Sequence, residues 1–201
     1  MRPNYEEERK LIAAGRRVIA GVDEVGRGPL AGPVTAAAVI LDTKNIPPGL
    51  EDSKKLSARK RADLAATLAD CAIISVAHAT VEEIDELNIL QASHLAMCRA
   101  VEGLAQKVDH ALIDGNMIPK RLQVPATALI KGDGRSVSIA AASIVAKVMR
   151  DRIMVDLAQQ HPGYGWDQNA GYPTKAHREA LQNLGVTPHH RRSFKTVHNM
   201  L

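Results

Sequence analysis

Ile19-Ala20-Gly21-Val22-Asp23-Glu24-Val25-Gly26-Arg27-Gly28-Pro29 runs from an apolar, β-prone stretch into two adjacent carboxylates and then into a glycine-bracketed arginine. Successive side chains of a strand point to opposite faces, so Asp23 and Glu24 can share one ion only near the strand's end, where the backbone turns. Gly26 and Gly28 permit such a turn, because glycine accepts positive φ and lets another backbone come close. Hard carboxylate oxygens suit Mg²⁺ or Mn²⁺, ions that usually accompany phosphates. The segment reads either as a metal site beside a phosphate cradle or as a solvated Asp-Glu pair closing a strand before a hairpin. Val34 to Leu41 is a second apolar run after the turn, at a spacing that suits an antiparallel hairpin.

Around this hairpin the pattern alternates. Residues 4–14 suit a short N-terminal helix and Arg17 to Glu24 the first strand. Asn45 to Gly49, with two prolines, is a loop; Ser57 suits the N-cap of a helix over 58–70, and Ala72 to Ala79 reads as a strand. Asn88 with Gln91 resembles a capping box that opens a helix to about Gln106. His110 to Asp114 and Ala126 to Ile130 are short strands, Ser138 to about Gln160 is helical, and Pro173 starts a helix that stops at Gly185. The tail from Thr187 is basic and partly helical. Strands first, then alternating helices and strands, predict a mixed α/β domain with a helical C-terminal portion.

The 201 residues suit one domain with a sizeable core. Aromatic residues are scarce, so the core falls to Ala, Val, Ile and Leu, and three of the five aromatics crowd between 164 and 172. The net charge of +4 fits a polyanionic partner without demanding one. Cys71 and Cys98 form no CxxC pattern and read as buried, reduced thiols. The charged start lacks a signal peptide's apolar stretch, and no apolar run near it is long enough for a bilayer, so a cytoplasmic protein without membrane association is expected.

Two further carboxylates match the first pair. Asp114 ends the apolar strand Ala111-Leu112-Ile113, where ligand sites of α/β sheets lie, although an Asp-Gly turn would look the same. Ser143, Lys147 and Asp151 recur every four residues and share a helix face; a plain Lys147–Asp151 ion pair is the competing reading. Four converging carboxylates would repel one another without cations, and two divalent ions about 3.5–4 Å apart would relieve that repulsion. Mg²⁺ takes much of its coordination from water and substrate phosphate, so such a site should bind metal weakly until substrate arrives. Ser53-Lys54-Lys55, Lys131-Gly132-Asp133-Gly134-Arg135 and His189-His190-Arg191-Arg192 could hold a phosphate backbone or be solvated charge. The histidines lack zinc-site spacing, and no glycine loop ends in the GK[ST] of a P-loop. Tyr172, in Gly171-Tyr172-Pro173-Thr174, and more weakly Trp166, could stack on a sugar or base.

Taken in order, these segments resemble the ribonuclease HII family, the type 2 ribonucleases H. Ala20–Pro29, Asp52-Ser-Lys-Lys-Leu56, Ile84–Leu90, Ile113-Asp-Gly-Asn116, Ala141–Lys147 with Arg150-Asp151, Gly171-Tyr-Pro-Thr174 and His189–Phe194 carry the resemblance from about residue 18 to 194. It implies a ribonuclease H-like, mixed five-stranded sheet with flanking helices, in a single domain over 1–201 whose residues 162–201 form a helical substrate-binding extension. It implies a catalytic, metal-holding set of Asp23, Glu24, Asp114 and Asp151 with Mg²⁺ or Mn²⁺. Gly26-Arg27-Gly28 would read the ribose 2′-hydroxyl at an RNA–DNA junction, Tyr172 would stack on the neighbouring deoxyribose, and Ser53, Lys54, Lys55 and Lys131 would contact substrate. The implied reaction is cleavage 5′ to a ribonucleotide in RNA–DNA hybrids, or in duplex DNA containing single ribonucleotides, by a monomer. Another two-metal nuclease or transferase of the same fold, and a non-catalytic hybrid-binding protein, are the rival readings.

Overall fold

A computed structural model describes residues 2–201. The N-terminal helix α1 (Glu6–Ala13) leads to β1 (Ile19–Val25) and β2 (Val34–Leu41), which pair antiparallel as the hairpin spacing predicts. Helix α2 (Ala58–Cys71) follows, with the Ser57 hydroxyl accepting from the Lys60 N–H, and then β3 (Ala72–Ala79). Helices α3 (Val81–Leu87) and α4 (Ile89–Glu102) precede β4 (His110–Asp114) and β5 (Ala126–Leu129). The long helix α5 (Val137–Gln160) and the short helices α6 (Trp166–Asn169), α7 (Lys175–Leu184) and α8 (Lys195–His198) complete the chain. The strand order is β3-β2-β1-β4-β5, with β1–β4 and β4–β5 parallel and the other pairs antiparallel.

Side-chain alternation divides the sheet into two layers. Ala20, Val22, Ala36, Ala38, Ala111 and Ile113 pack towards α3 and α4 in one core. Ala37, Val39 and Leu41 pack towards α2 and α5 in another. Alanine fills the strand centres on both faces, so the helices lie close to the sheet. The close approach is greatest at Gly21, where a Cβ would collide with the backbone of Ser138. A third cluster joins Leu30, Ala31 and Met154 to α6, α7 and α8, including Trp166, Leu181 and Val197. The C-terminal lobe is therefore built on the turn that follows β1.

Several expectations need correction. Asn88 caps α4 through its side chain, accepting from the Leu90 and Gln91 N–H groups, but it has φ 73° and no reciprocal partner. The reciprocal capping box is Thr80 with Glu83, at the start of α3, a helix that the sequence reading omitted. Helix α4 ends at Glu102, not near Gln106, and the C-terminal helix begins at Lys175, with Thr174 as N-cap. Cys98 is buried, but Cys71, at the end of α2, is only half-buried. Trp166 is fully buried against His177 and Tyr164, so it cannot stack on a ligand.

Candidate active site

The parallel register of β1 and β4 builds the acidic centre. Val22 lies beside Ile113, so the next residues, Asp23 and Asp114, stand at adjacent strand ends. Both follow residues of the α4-facing layer, and alternation turns them towards α5. Glu24, pointing the other way, is still near enough to line the same cleft because β1 ends one residue later. The cleft, of about 250 Å³, is bounded by Asp23, Glu24 and Asp114, by Gly26, Arg27, Gly28 and Tyr172, and by Ser53, Lys54, Ser143 and Lys147.

Asp23 is buried, and burial, then Glu24 and Asp114, hold its carboxyl well above the usual range. Hydrogen bonds from Ser143 and from the Glu24 N–H at 2.7 Å offset this only in part. Burial also raises Asp114, against the N–H of Gly132, which donates to it at 2.6 Å. One oxygen of Glu24, Oε2, is buried without a hydrogen-bond partner, while Oε1 accepts from Arg27 at 3.3 Å. Burial pulls the Lys54 ammonium down, but Asp133, Asp52, Asp23 and Asp114 together leave it raised.

Asp151 is not among the residues that bound this cleft. It lies one helical turn beyond Lys147 and pairs with that lysine at 2.7 Å, a contact that both readings of this helix face allow. Three of the four sequence-selected carboxylates thus share the cleft and the fourth adjoins it through Lys147. Among the described residues, no three His, Cys, Asp or Glu side chains are gathered closely enough to hold a metal ion by themselves. The donor set nevertheless suits a hard divalent cation. It offers oxygens only, it holds mutually repelling charge, and it contains the orphaned Glu24 oxygen.

The glycine turn is held from beneath by two arginines that the sequence reading did not select for this task. Arg191 is fully buried and donates to the carbonyls of Gly26, Arg27, Pro29 and Gly32 at 2.6–3.1 Å. Arg150, equally buried, donates to Ala31, Pro33 and Ala170. Among the described residues no carboxylate pairs directly with either charge, although Asp85 acts on Arg191 and Asp151 on Arg150 from farther off; burial lowers the Arg191 guanidinium to about 9, with Arg150 adding to it. With its carbonyls drawn inwards, the turn presents the opposite edge of its backbone to the cleft. Gly26, at φ 93°, lies so close to the Arg150 guanidinium that any Cβ would collide with it. Arg191 and His190 are therefore buried scaffolding and not the exposed phosphate clamp considered for His189–Arg192. Arg150 carried one legible signal, since it shares an α5 face with the buried Ala146 and Met154. Arg191 carried none, its partners being carbonyls of a distant loop.

Tyr172 is 41% exposed, with its ring edge beside Gly28. Its carbonyl accepts from His177 Nδ1 at 2.9 Å. Trp166 donates to His177 Nε2, and His190 Nε2 lies 3.2 Å from the same atom. His190 Nδ1 accepts from the Thr187 N–H, so its proton resides on Nε2, and both imidazoles are satisfied as neutral rings. Beyond the acidic centre, a groove of about 610 Å³ is lined by Lys54, Lys55, Lys131, Arg135 and the acidic Asp52, Asp114 and Asp133. Lys55 pairs with Glu51 at 3.3 Å, and the Ser53 hydroxyl is bonded to Ser143 at 2.8 Å.

A three-stranded antiparallel unit extended by two parallel strands, with acidic strand ends facing a long helix, defines a nuclease of the ribonuclease H-like fold. The ribonuclease H2 structure from Pyrococcus horikoshii OT3 matches with a TM-score of 0.76 and 30% identity, over 92% of this chain and 97% of that one. Residues 20–197 match the family described as Ribonuclease HII. The chain is 70% identical over 199 residues to the ribonuclease HII of Ruegeria pomeroyi, covering 99% of this chain and 85% of that one. It is 64% identical over 199 residues to that of Paracoccus denitrificans, covering 99% and 95%. The chain belongs to the ribonuclease HII family, metal-dependent endoribonucleases of RNA–DNA hybrids. No helix among the described residues is long and apolar enough to cross a membrane.

Proposed function

We propose that this cleft cuts on the 5′ side of a ribonucleotide at RNA–DNA junctions, including a single ribonucleotide embedded in duplex DNA, and leaves 3′-hydroxyl and 5′-phosphate ends. The observation that carries this reading is the juxtaposition of Asp23, Glu24 and Asp114 with the Gly26-Arg27-Gly28 turn and Tyr172 around one cleft. A 2′-hydroxyl is what distinguishes RNA from DNA at a given sugar, and a glycine turn brings main-chain groups to it with no Cβ in the way. Tyr172, exposed beside Gly28, stacks on the adjoining sugar, where a deoxyribose fits and a second hydroxyl does not. Ribose on one side and deoxyribose on the other then define the junction.

Asp23, Glu24 and Asp114, with Asp151 as fourth candidate, would hold Mg²⁺ or Mn²⁺, which supplies charge neutralisation at the scissile phosphate and an acidified water. Arg27, tied to Glu24, keeps one carboxylate oxygen oriented and leaves the other, Oε2, free. Lys147 holds Asp151 beside the cleft. Lys54, Lys55 and Lys131 face the phosphate backbone along the groove, and Ser53 braces Ser143 at the cleft wall. Residues 162–201 serve substrate through Tyr172, which their packing holds in place.

The test is a DNA duplex carrying one ribonucleotide, incubated with Mg²⁺ or Mn²⁺ and, separately, with EDTA. A metal-dependent nick 5′ to the ribonucleotide is expected, with a 3′-hydroxyl that a DNA polymerase can extend and a 5′-phosphate on the ribonucleotide that a phosphatase can remove. Equal cutting of an all-DNA duplex would replace the reading with a less selective two-metal nuclease, and binding without cutting would make the chain a hybrid-binding protein.

A further inference from the structure

Helix α1 precedes the family-matched residues 20–197, yet it grips the scaffold of the acidic centre. Glu8 is completely buried, and its Oε1 accepts from the hydroxyl of Ser136 at 2.6 Å, from the N–H of Ser138 at 3.0 Å and from the Ser138 hydroxyl. The second oxygen, Oε2, is buried without a partner. Burying a carboxylate this way is costly, and the positive end of the 24-residue α5 only partly offsets that cost. All its side-chain hydrogen bonds fall on one segment, the junction of α5 with the turn that precedes it.

That turn is Lys131–Ser136. The N–H groups of Arg135 and Ser136 close it on the Gly132 carbonyl at 2.9 and 2.8 Å. Lys131 sits in the left-handed region at φ 54°, a strained setting for a residue with a side chain, and one that persists only when its surroundings enforce it. From within the turn, the Gly132 N–H donates to Asp114 at 2.6 Å. Helix α1 and the residues before it enclose the far side: Asn4 exchanges backbone hydrogen bonds with Arg135 and Val137, and Glu7 pairs with Arg135 at 2.6 Å.

We infer that Glu8 is a positioning residue for the cleavage reaction: by anchoring Ser136 and Ser138 it holds the 131–136 turn in the form whose Gly132 N–H fixes the Asp114 carboxylate. The inference rests on the reading of Asp114 given above. It gives the N-terminal helix, which precedes the family-matched residues 20–197, a task in catalysis.

The test compares Glu8→Ala and Glu8→Gln in the full chain. Amide hydrogen exchange is followed by mass spectrometry, and steady-state cleavage is measured on the single-ribonucleotide duplex. In Glu8→Ala, exchange over residues 131–136 should rise about tenfold or more while that of β1 and β2 stays unchanged. Its kcat should fall about tenfold with KM within about twofold, because substrate contacts survive while a carboxylate is misplaced. Glu8→Gln keeps an acceptor oxygen and should recover both values to within about threefold. Unchanged exchange in the turn of Glu8→Ala, exchange accelerated evenly over the whole chain, or a loosened turn with kcat unchanged would overturn the inference. Should Glu8→Ala fail to fold, Ser138→Ala removes one donor to Glu8 and must show the same local pattern at smaller amplitude. A wild-type chain that does not cut this duplex would end the functional reading and with it the catalytic part of this inference, while the exchange comparison would still decide whether Glu8 holds the 131–136 turn.

Discussion

Arg191 shows how a single side chain sets the geometry of the recognition turn. Guanidinium presents five donors in a rigid fork, and here four of the carbonyls it serves belong to Gly26, Arg27, Pro29 and Gly32. Lysine has a compact ammonium and cannot span that set. In Arg191→Met the volume is roughly kept, but buried carbonyls of the turn lose their partners, at about 1–3 kcal/mol for each group left unsatisfied. We therefore expect Arg191→Met to lower unfolding free energy by about 3 kcal/mol or more, read from urea denaturation. A loss under about 1 kcal/mol would show that water replaces the guanidinium without penalty. The sequence could not disclose this role. A basic run near the C-terminus looks the same whether its arginines face phosphate or the underside of a loop, and only the packing of the C-terminal lobe on Leu30 and Ala31 decides between them.

Among the elements, those with strong local signals were readable. Strands β1 and β2 announced themselves by largely apolar runs around a glycine turn, and α2 by its Ser57 cap. Helix α3 was missed because its seven residues are too few to establish a helical period, and Asn88 at φ 73° separates them from α4. Helix α6 is shorter still, and its existence depends on burying Trp166 against α7. The lobe formed by α6, α7 and α8 carries a consequence for pH. His190 is lowered to about 4 by burial first, then by His177, His189 and His161. His177 is lowered by burial as well. A base whose folded pKa lies below its unfolded value of 6.5 stabilises the fold above that value and loses the contribution as pH falls towards 4. Trp166 is the only tryptophan, so its emission reports this lobe alone. The expected result is a red shift of that emission between pH 6.5 and about 4 while far-UV circular dichroism of the sheet and long helices persists. Emission that stays constant to pH 4 would mean that the rings accept protons without opening the lobe.

At the scale of the whole molecule, a positively charged protein encloses a cleft lined by three acidic side chains, and the two features serve one purpose. The positive exterior attracts a polyanion, whereas the acidic interior is useful only once cations and phosphate have neutralised it. The fold class was legible because strands come first along the chain and then alternate with helices, whereas the strand order β3-β2-β1-β4-β5 was not. The pairing of Asp23 with Asp114 was legible only as two strand ends, since the parallel register that sets them side by side is a long-range contact. The place of Asp151 was not legible, because its periodicity with Lys147 fits both a metal ligand and an ion pair. This arrangement opposes stability to function. Burial, Glu24 and Asp114 raise the folded-state pKa of Asp23 above its unfolded value of 3.8, so its ionised form destabilises the fold above that pH and the strain is relieved by protonation. Asp23→Asn keeps the shape and removes the charge. In EDTA at pH 7.5 it should melt higher than the wild type, by roughly 2–4 °C for each kcal/mol relieved. Mg²⁺ or Mn²⁺ at millimolar concentration should then raise the wild-type midpoint and leave that of the variant nearly fixed, since an ion that binds only the folded state stabilises in proportion to its affinity. Cleavage by the variant should be abolished under both conditions. A variant that melts below the wild type in EDTA would show that the Asp23 carboxylate is held by favourable contacts and not by burial against like charge.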